Sequence, residues 1–279
     1  MDGLKLSSRQ SAARTVISVG SLRIGRDFIL IAGPCSVENE EQMLETAQAV
    51  KAAGAHILRG GAFKPRSSPY SFQGLGLRGL KILRQVSEVT GLPVVSEVLD
   101  PRDVGWMSDY VDLFQVGARN MQNFSLLKEL GHTNLPVILK RGMNSTIQEW
   151  LLCAEYILAE GNPKVILCER GIRTFERYSR NTLDVTAVPA VKELSHLPII
   201  VDPSHAAGKA SLVPALSLAA VAGGADGLMI EVHYHPDQAL SDGEQSLSPA
   251  EFSQLARRLL DLRKFLETSN QSETPAVRP

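Results

Sequence analysis

Eight short apolar runs, rich in β-branched residues, alternate along the chain with segments of helical periodicity. The runs are FILIAG (from Phe28), HILRGG (His56), PVVSEV (Pro93), VDLFQVG (Val111), PVILKR (Pro136), VILCER (Val165), PIIVDPS (Pro198) and GLMIEV (Gly227). Between them, stretches such as EQMLETAQAVKAAG and TIQEWLLCAEYILAEG space their apolar residues three and four apart and end in Gly. Strands that are apolar throughout and alternate with helices are typical of a parallel sheet covered by helices.

Eight such units in 279 residues predict an α/β fold, and within that class a (β/α)8 TIM barrel. The alternative is an open doubly wound sheet, which usually has fewer strands and a Gly-rich turn after the first of them. The first run ends in GPCSVE and lacks GxGxxG, which favours the barrel. We expect an N-terminal segment at 1–27 with a short β-hairpin to plug the far end of the barrel, the barrel at 28–268, and a disordered tail at 269–279.

The composition excludes several classes of protein. Lys and Arg total 29 against 30 Asp and Glu, and this balance lacks the basic excess usual in proteins that bind nucleic acid or membrane surfaces. No apolar stretch has the continuity of a signal peptide or membrane span, since the longest, at 212–232, is broken by Pro214 and Asp226. Three scattered cysteines do not form a disulfide framework. We therefore expect a cytoplasmic protein with neither nucleic acid nor membrane as a partner.

Ionisable or hydrogen-bonding side chains follow all eight runs. In chain order they are Cys35, Arg59, Glu97, Gln115 with Arg119, Lys140, Arg170, Asp202 with His205, and Glu231. Burying such groups singly is costly, so they are tolerated where they converge on one another or on a ligand. The carboxyl ends of barrel strands form one ring, the face at which active sites lie. Ordinary strand exits would explain two or three of these residues but not the whole set, so the pattern predicts an active site.

Six cations belong to this ring or to the loop after the second run. They are Arg59, Lys64, Arg66, Arg119, Lys140 and Arg170. Any one of them is better explained by a surface salt bridge, but a cluster of all six would repel itself without anionic partners. Phosphate and carboxylate groups match the guanidinium fork. The set therefore predicts a substrate, or a pair of substrates, with several negative charges.

A second set combines a thiol, an imidazole and two carboxyl groups: Cys35, His205, Glu231 and Asp242. These groups together suit Mn, Fe, Co or Zn better than Mg or Ca. Their spacing matches no finger motif, and a lone buried thiol or a loop histidine needs no metal. However, the first, seventh and eighth strands are neighbours in a closed barrel, and the loop carrying Asp242 follows the eighth. The sequence alone leaves this metal site open.

Several long segments resemble the 3-deoxy-7-phosphoheptulonate (DAHP) synthase family. They are GPCSVE, LRGGAFKPRSSPYSFQGLG, QVGARNMQNF, ILKRG, ILCERGIRTFE, VDPSHAAG and EVHYHPDQALSDG, and together they span roughly 28–265. The likeness is to the subgroup related to 3-deoxy-octulosonate 8-phosphate synthase. It implies a metal-dependent condensation of phosphoenolpyruvate with D-erythrose 4-phosphate, which releases phosphate at the first step of the shikimate pathway to aromatic amino acids.

The resemblance also implies roles for single residues. Arg59 and Lys64 would hold the carboxylate side of phosphoenolpyruvate, and its phosphate would bind Arg119, Lys140 and Arg170. Arg66 and Ser67 would face the tetrose phosphate, with Ser67 standing where Thr is commoner. The divalent ion would bind Cys35, His205, Glu231 and Asp242. For the chemistry, we hypothesise that Lys64 is the general acid, with a pKa lowered by neighbouring cations, and that Glu97 positions the water.

Alternatives remain beside this interpretation. The octulosonate synthase, which uses arabinose 5-phosphate, usually has a KANRS-like segment where this chain has KPRSS. A non-catalytic barrel that binds phosphorylated metabolites would be expected to have lost part of the metal set or of the cation set. Relatives often have an N-terminal regulatory extension, whereas about 27 residues precede the first run here, so we expect a catalytic core alone. The resemblance suggests a homo-dimer or tetramer and leaves a separate chorismate mutase as a possible partner.

Overall fold

Eight parallel strands close into a barrel in which each strand lies beside its neighbours in sequence and the last pairs with the first. The structure is a computed structural model that describes residues 3–66 and 68–272, the last three by backbone alone. The barrel strands are β3 (Ile29–Gly33), β4 (Ile57–Arg59), β5 (Val94–Glu97), β6 (Leu113–Val116), β7 (Val137–Lys140), β8 (Val165–Glu169), β9 (Ile199–Val201) and β10 (Gly227–Glu231). Each predicted apolar run contains one of these strands, so the barrel is confirmed and the open sheet was the wrong alternative.

Helices lie outside the barrel and cover its strands. They are α1 (Glu40–Ala52), α2 (Leu77–Thr90), α3 (Val104–Met107), α4 (Phe124–Gly131), α5 (Ile147–Ala159), α6 (Ala187–Leu194), α7 (Pro203–Ala207), α8 (Val213–Ala222) and α9 (Pro249–Ser272). Local chemistry fixes their ends: α5 begins with a capping box between Thr146 and Glu149, and α2 ends at Gly91 in the left-handed region. Among the described residues, no helix combines the length and apolarity that crossing a bilayer requires.

The last helix runs past the predicted end of the barrel. We expected the disordered tail to begin at residue 269, but α9 continues to Ser272, and the rest of the tail lies outside the described residues. The polar composition of this stretch suggested disorder, yet a helix that is anchored by its earlier apolar turns can extend through polar residues. Leu255 and Leu259 of α9 are buried in the core and provide that anchor.

The expected N-terminal hairpin is present and closes the amino end of the barrel. Strands β1 (Ile17–Val19) and β2 (Leu22–Ile24) pair antiparallel. Their residues Ile17, Val19 and Ile24 are buried in one apolar cluster with inward-facing strand residues such as Ile29 and Ile200. A larger core of apolar side chains fills the space between the strands and the helices. The carboxyl ends of the strands are thereby left as the open face.

Candidate functional site

A cavity of about 490 Å³ opens at the carboxyl ends of the barrel strands. Its lining contains the cations Arg59, Lys64, Arg66, Arg119, Lys140, Arg170, Arg173 and Arg180. Glu97, His205 and Asp242 also line it, whereas Cys35 and Glu231 lie buried beside it. In a chain of net charge −1, this concentration of positive charge is local. The cavity is therefore built for a ligand, or for two ligands, with several negative charges.

Four side chains with metal-ligating atoms meet at one wall of the cavity. Cys35, His205, Glu231 and Asp242 each offer one atom, and these atoms all lie within 4.8 Å of one another. The Cys35 thiol donates to Asp242 Oδ2 at 3.0 Å, and His205 Nε2 lies 3.4 Å from Glu231 Oε1. The four residues predicted as a metal set are thus brought together, although they come from distant parts of the chain.

Local sequence aims each of these side chains. Gly33, which ends β3 with φ 145°, occupies a position where a Cβ would collide with the backbone oxygen of Arg59, so the chain can turn toward Cys35 only with glycine there. Glu231 is the last residue of β10, and its backbone N–H donates to Ser204 Oγ at 2.9 Å. Gln245 Nε2 donates to Glu231 Oε2 at 2.7 Å and fixes the carboxylate that the strand delivers.

Asp202 connects the metal-ligating set with the cations. Its side chain is fully buried at the start of α7, where it accepts the backbone N–H of His205 at 2.9 Å. The same carboxylate lies 2.8 Å from His205 Nδ1 and forms an ion pair with Lys140 Nζ. His205 therefore has its Nδ1 engaged by Asp202 and its Nε2 directed at Glu231, an arrangement usual for a metal-ligating histidine.

The buried guanidinium groups of Arg59 and Arg170 each have N–H donors without a hydrogen-bond partner among the described residues. Arg59 Nη2 pairs with Glu231 Oε1 at 3.0 Å, but its Nε and Nη1 have no hydrogen-bond partner among the described residues. Arg170 Nη2 donates to the backbone oxygen of His205 at 3.2 Å, while its buried Nη1 likewise has no partner within the described part of the chain. Unpaired buried donors are costly unless a ligand completes them. An anionic ligand in the cavity would do so.

Glu97, the residue that we expect to position the water, is the last residue of β5. Gln115 Nε2 donates to Glu97 Oε2 at 3.3 Å. Its other oxygen occupies the space beside Gly117, where a Cβ would collide with it. Glu97 therefore faces the cavity in a fixed position, within the same lining as Arg119 and Lys64.

Burial sets the direction of the pKa shifts of the thiol and the imidazole in the cluster. Burial, reinforced by the Glu231 carboxylate, raises the pKa of Cys35 to about 12, and burial lowers the pKa of His205 to about 4. Burial alone would lower the pKa of Lys64, but the nearby Cys35, Glu97 and Glu231 outweigh it and the pKa is raised. Our expectation that neighbouring cations lower the pKa of Lys64 was therefore wrong, because Lys64 Nζ lies 2.8 Å from Cys35 Sγ and among acidic groups.

Most of the predicted site residues converge, and the structure adds others. Ser67 lies outside the described residues, so its predicted contact with a phosphate stays a prediction. Sequence reasoning missed Arg173 and Arg180, which both come from the loop after β8 and line the cavity. Arg180 Nη1 donates to Asp242 Oδ1 at 3.2 Å and to Gln245 Oε1 at 2.9 Å. The signal that could have found them is the density of Arg in that long segment at the functional face.

Comparisons with known proteins agree on one family. The family model of the DAHP synthetase I family matches residues 10–268. A phospho-2-dehydro-3-deoxyheptonate aldolase from Thermotoga maritima is 53% identical over 264 residues, which cover 94% of this chain and 78% of that protein. A 2-dehydro-3-deoxyphosphooctonate aldolase from Desulfatibacillum aliphaticivorans is 34% identical over 259 residues, which cover 86% of this chain and 94% of that one.

Solved structures give the same result. The crystal structure of the Thermotoga maritima DAHP synthase has a TM-score of 0.93 and 51% identity, and the match covers 95% of this chain and 78% of that one. A truncated form of the 3-deoxy-D-arabino-heptulosonate 7-phosphate synthase from the same organism has a TM-score of 0.88 and 49% identity. That match covers 94% of this chain and 97% of the truncated chain.

Proposed function

This chain belongs to the DAHP synthetase I family and condenses phosphoenolpyruvate with D-erythrose 4-phosphate, and we propose that the cation-lined cavity beside the Cys35 cluster is where it does so. The observation that carries the proposal is the meeting of four ligating atoms within 4.8 Å at the wall of that cavity. The reaction joins two phosphorylated substrates, and it requires both charge neutralisation and an electrophilic centre. The cavity and the cluster offer these side by side.

A divalent metal ion fits the cluster by its donor chemistry. One sulfur, one imidazole nitrogen and two carboxylate oxygens suit Mn, Fe, Co or Zn, and Cys35 is free of any disulfide. We propose that Cys35, His205, Glu231 and Asp242 hold the ion. When bound, it would supply Lewis acidity toward an aldehyde oxygen or an activated water.

The cations divide between the two substrates. We propose that Arg59 and Lys64 bind the carboxylate side of phosphoenolpyruvate, and that its phosphate binds Arg119, Lys140 and Arg170. The free donors of Arg59 and Arg170 support this assignment because a carboxylate and a phosphate would complete them. Arg66 and Ser67 are proposed to face the phosphate of the tetrose. Together these groups offset the repulsion between the substrates and hold them at attack distance.

The bond changes follow from the substrates themselves. Carbon 3 of the enol phosphate attacks the aldehyde carbon of the tetrose, water adds at carbon 2, and phosphate leaves by C–O cleavage. We propose that Lys64 donates the proton that the aldehyde oxygen gains, since its ammonium group lies at the edge of the cluster and faces the cavity. Glu97, held by Gln115 at the same cavity, is proposed to orient the water.

The alternative to erythrose 4-phosphate is arabinose 5-phosphate, the aldose of the octulosonate synthase. It has to be considered because the chain is also similar to an octonate aldolase from Desulfatibacillum aliphaticivorans. Sequence identity favours erythrose 4-phosphate as the substrate, since the chain is 53% identical to the Thermotoga heptonate aldolase and 34% identical to the octonate aldolase. The KPRSS segment, which differs from the KANRS type, favours it too. We also propose a cytoplasmic location, which the free cysteines support, and assembly as a homo-dimer or tetramer.

The deciding experiment measures phosphate release from phosphoenolpyruvate with each aldose phosphate. The protein is first stripped with a chelator and then given Mn, Fe, Co or Zn singly. We expect no release from the stripped protein and restored release with at least one metal. The kcat/KM for erythrose 4-phosphate should exceed that for arabinose 5-phosphate by about tenfold or more. If phosphate is released with arabinose 5-phosphate but not with erythrose 4-phosphate, the assignment of the substrate is wrong. If no phosphate is released with any metal, the result favours the non-catalytic barrel.

A further inference from the structure

The loop that carries Asp242 has an unfavourable backbone conformation. Asp242 has φ 54°, and it is the one non-glycine residue with positive φ in the described part of the chain. A residue with a side chain keeps this conformation only where its surroundings impose it, and such positions cluster at functional sites. The residues directly before Asp242 are held by contacts with another segment of the chain.

Two residues that follow Cys35 hold this loop. Ser36 Oγ and Ser241 Oγ form a hydrogen bond of 2.7 Å, and both side chains are buried. Glu38 Oε1 accepts the backbone N–H of Leu240 at 2.9 Å. Its Oε2 lies 3.5 Å from Nε2 of His233, at the start of the same loop. The anchors therefore act on 240 and 241, directly before the strained residue.

The anchoring segment is itself fixed to a helix. Gln42, a buried residue of α1, donates from Nε2 to the Ser36 backbone oxygen at 3.3 Å. In return, Gln42 Oε1 accepts the backbone N–H of Glu38 at 3.4 Å. The segment 35–38 thus supplies one ligating atom directly, from Cys35, and holds the loop that supplies another.

We propose that Ser36 and Glu38 are positioning residues that set the loop so that the Asp242 carboxylate meets Cys35, His205 and Glu231. This inference rests on the proposed metal site. Groups that orient ligands typically contribute 10- to 100-fold to metal affinity. Ser36 and Glu38 do not line the cavity, and their contacts with 240 and 241 direct their effect to Asp242.

The test is equilibrium titration of the metal-stripped full chain with Co²⁺, read by the visible absorption of the ion. Ser36→Ala and Glu38→Ala should each raise the Co²⁺ dissociation constant about 10- to 100-fold. Glu38→Gln, which keeps an acceptor for Leu240, should have a smaller effect. Ser217→Ala is the matched control, because Ser217 is a buried serine with a 2.7 Å hydrogen bond within α8. It should bind Co²⁺ as the wild type does.

Two further variants separate positioning from general destabilisation. Ser241→Ala removes the Ser36 hydrogen bond from the loop side and should match Ser36→Ala, which keeps the test open if one variant fails to fold. In an Asp242→Ala background, Ser36→Ala should weaken Co²⁺ binding no further, since the ligand it positions is gone. Additive weakening in the double variant would overturn the proposal.

The wild type and Cys35→Ala are titrated first. If the wild type binds no ion, or Cys35→Ala binds it equally well, the proposed metal site fails and this inference fails with it. If Cys35→Ala loses binding while the Ser36, Ser241 and Glu38 variants stay within twofold of the wild type, the positioning role alone is overturned.

Discussion

Lys64 shows how much of the chemistry depends on one side chain. Its ammonium group lies 2.8 Å from Cys35 Sγ and 3.3 Å from the Cys35 backbone oxygen, and it also lines the cavity. Lys64→Met keeps the length of the side chain but removes both the charge and the proton. We expect turnover to fall by about 10²- to 10⁴-fold, the usual contribution of a general acid. Phosphate release at saturating concentrations of both substrates measures it.

The control for Lys64→Met is Lys51→Met, on α1 outside the cavity, where Nζ donates to the backbone oxygen of Thr90. Both variants should keep the circular dichroism of the wild type, and only the first should lose turnover. Near-normal turnover in Lys64→Met would exclude Lys64 as the proton donor.

At this scale the sequence and the family resemblance predicted most of the residues that meet, but not how these residues affect one another. Cys35, His205 and Glu231 could be assembled because parallel strands that close a barrel bring their carboxyl ends together. The contacts that Asp202 makes with both His205 and Lys140 could not be predicted in this way, because they depend on the direction in which α7 leaves β9. The direction of the Lys64 pKa shift was missed for a similar reason, since the acidic neighbours outweigh the cations only at distances that the sequence does not contain.

The ends of β7 and β8 are joined by a buried ion pair whose two residues do not themselves line the cavity. Arg141 Nη1 donates to Glu169 Oε2 at 3.0 Å and to Asp184 Oδ2 at 2.8 Å. Glu169 is fully buried, and burial raises its pKa despite Arg141. Because Lys140 precedes Arg141 and Arg170 follows Glu169, this pair fixes the two strand ends from which both cations project.

Arg141→Met should therefore destabilise the protein by about 3–5 kcal/mol, because it leaves a buried carboxylate without its partner. Denaturant unfolding measures the change. Adding Glu169→Gln, which removes the charge but keeps an acceptor for the Gly171 backbone N–H, should restore part of the lost stability. A double variant less stable than Arg141→Met would contradict this account of the ion pair.

Strands are the elements that the sequence predicts best here, because each is apolar on both faces and bounded by polar residues. Loops are predicted worst. The segment after β8 was expected to contribute Arg170 alone, yet Arg173 and Arg180 also reach the cavity. Arg180 is held by Asp242 and Gln245 from the loop after β10, and contacts between two loops leave no periodic signal in either.

At the scale of the whole molecule, the two ends of the barrel differ: the amino end is closed by apolar packing and the carboxyl end carries the cavity. The hairpin β1–β2 fills the amino end with apolar side chains, while the polar residues occupy the carboxyl end. This division is general for the fold, in which active sites lie at the carboxyl face. It explains why eight runs and their polar endings sufficed to predict both the barrel and the face at which the candidate site lies.

Ile24→Ala tests that separation. Ile24 is 1% exposed in the interior cluster, so its truncation should lower the free energy of unfolding by about 2–5 kcal/mol through lost burial and a cavity. Val16→Ala, at a neighbouring residue that is 45% exposed, is the matched control and should change stability by less than about 0.5 kcal/mol. Below the unfolding transition, kcat should be unchanged in both variants, because the hairpin lies at the opposite end of the barrel from Lys64 and Glu97. A stable Ile24→Ala protein with reduced kcat would mean that packing at the amino end sets the geometry of the site, and the two ends would no longer be independent.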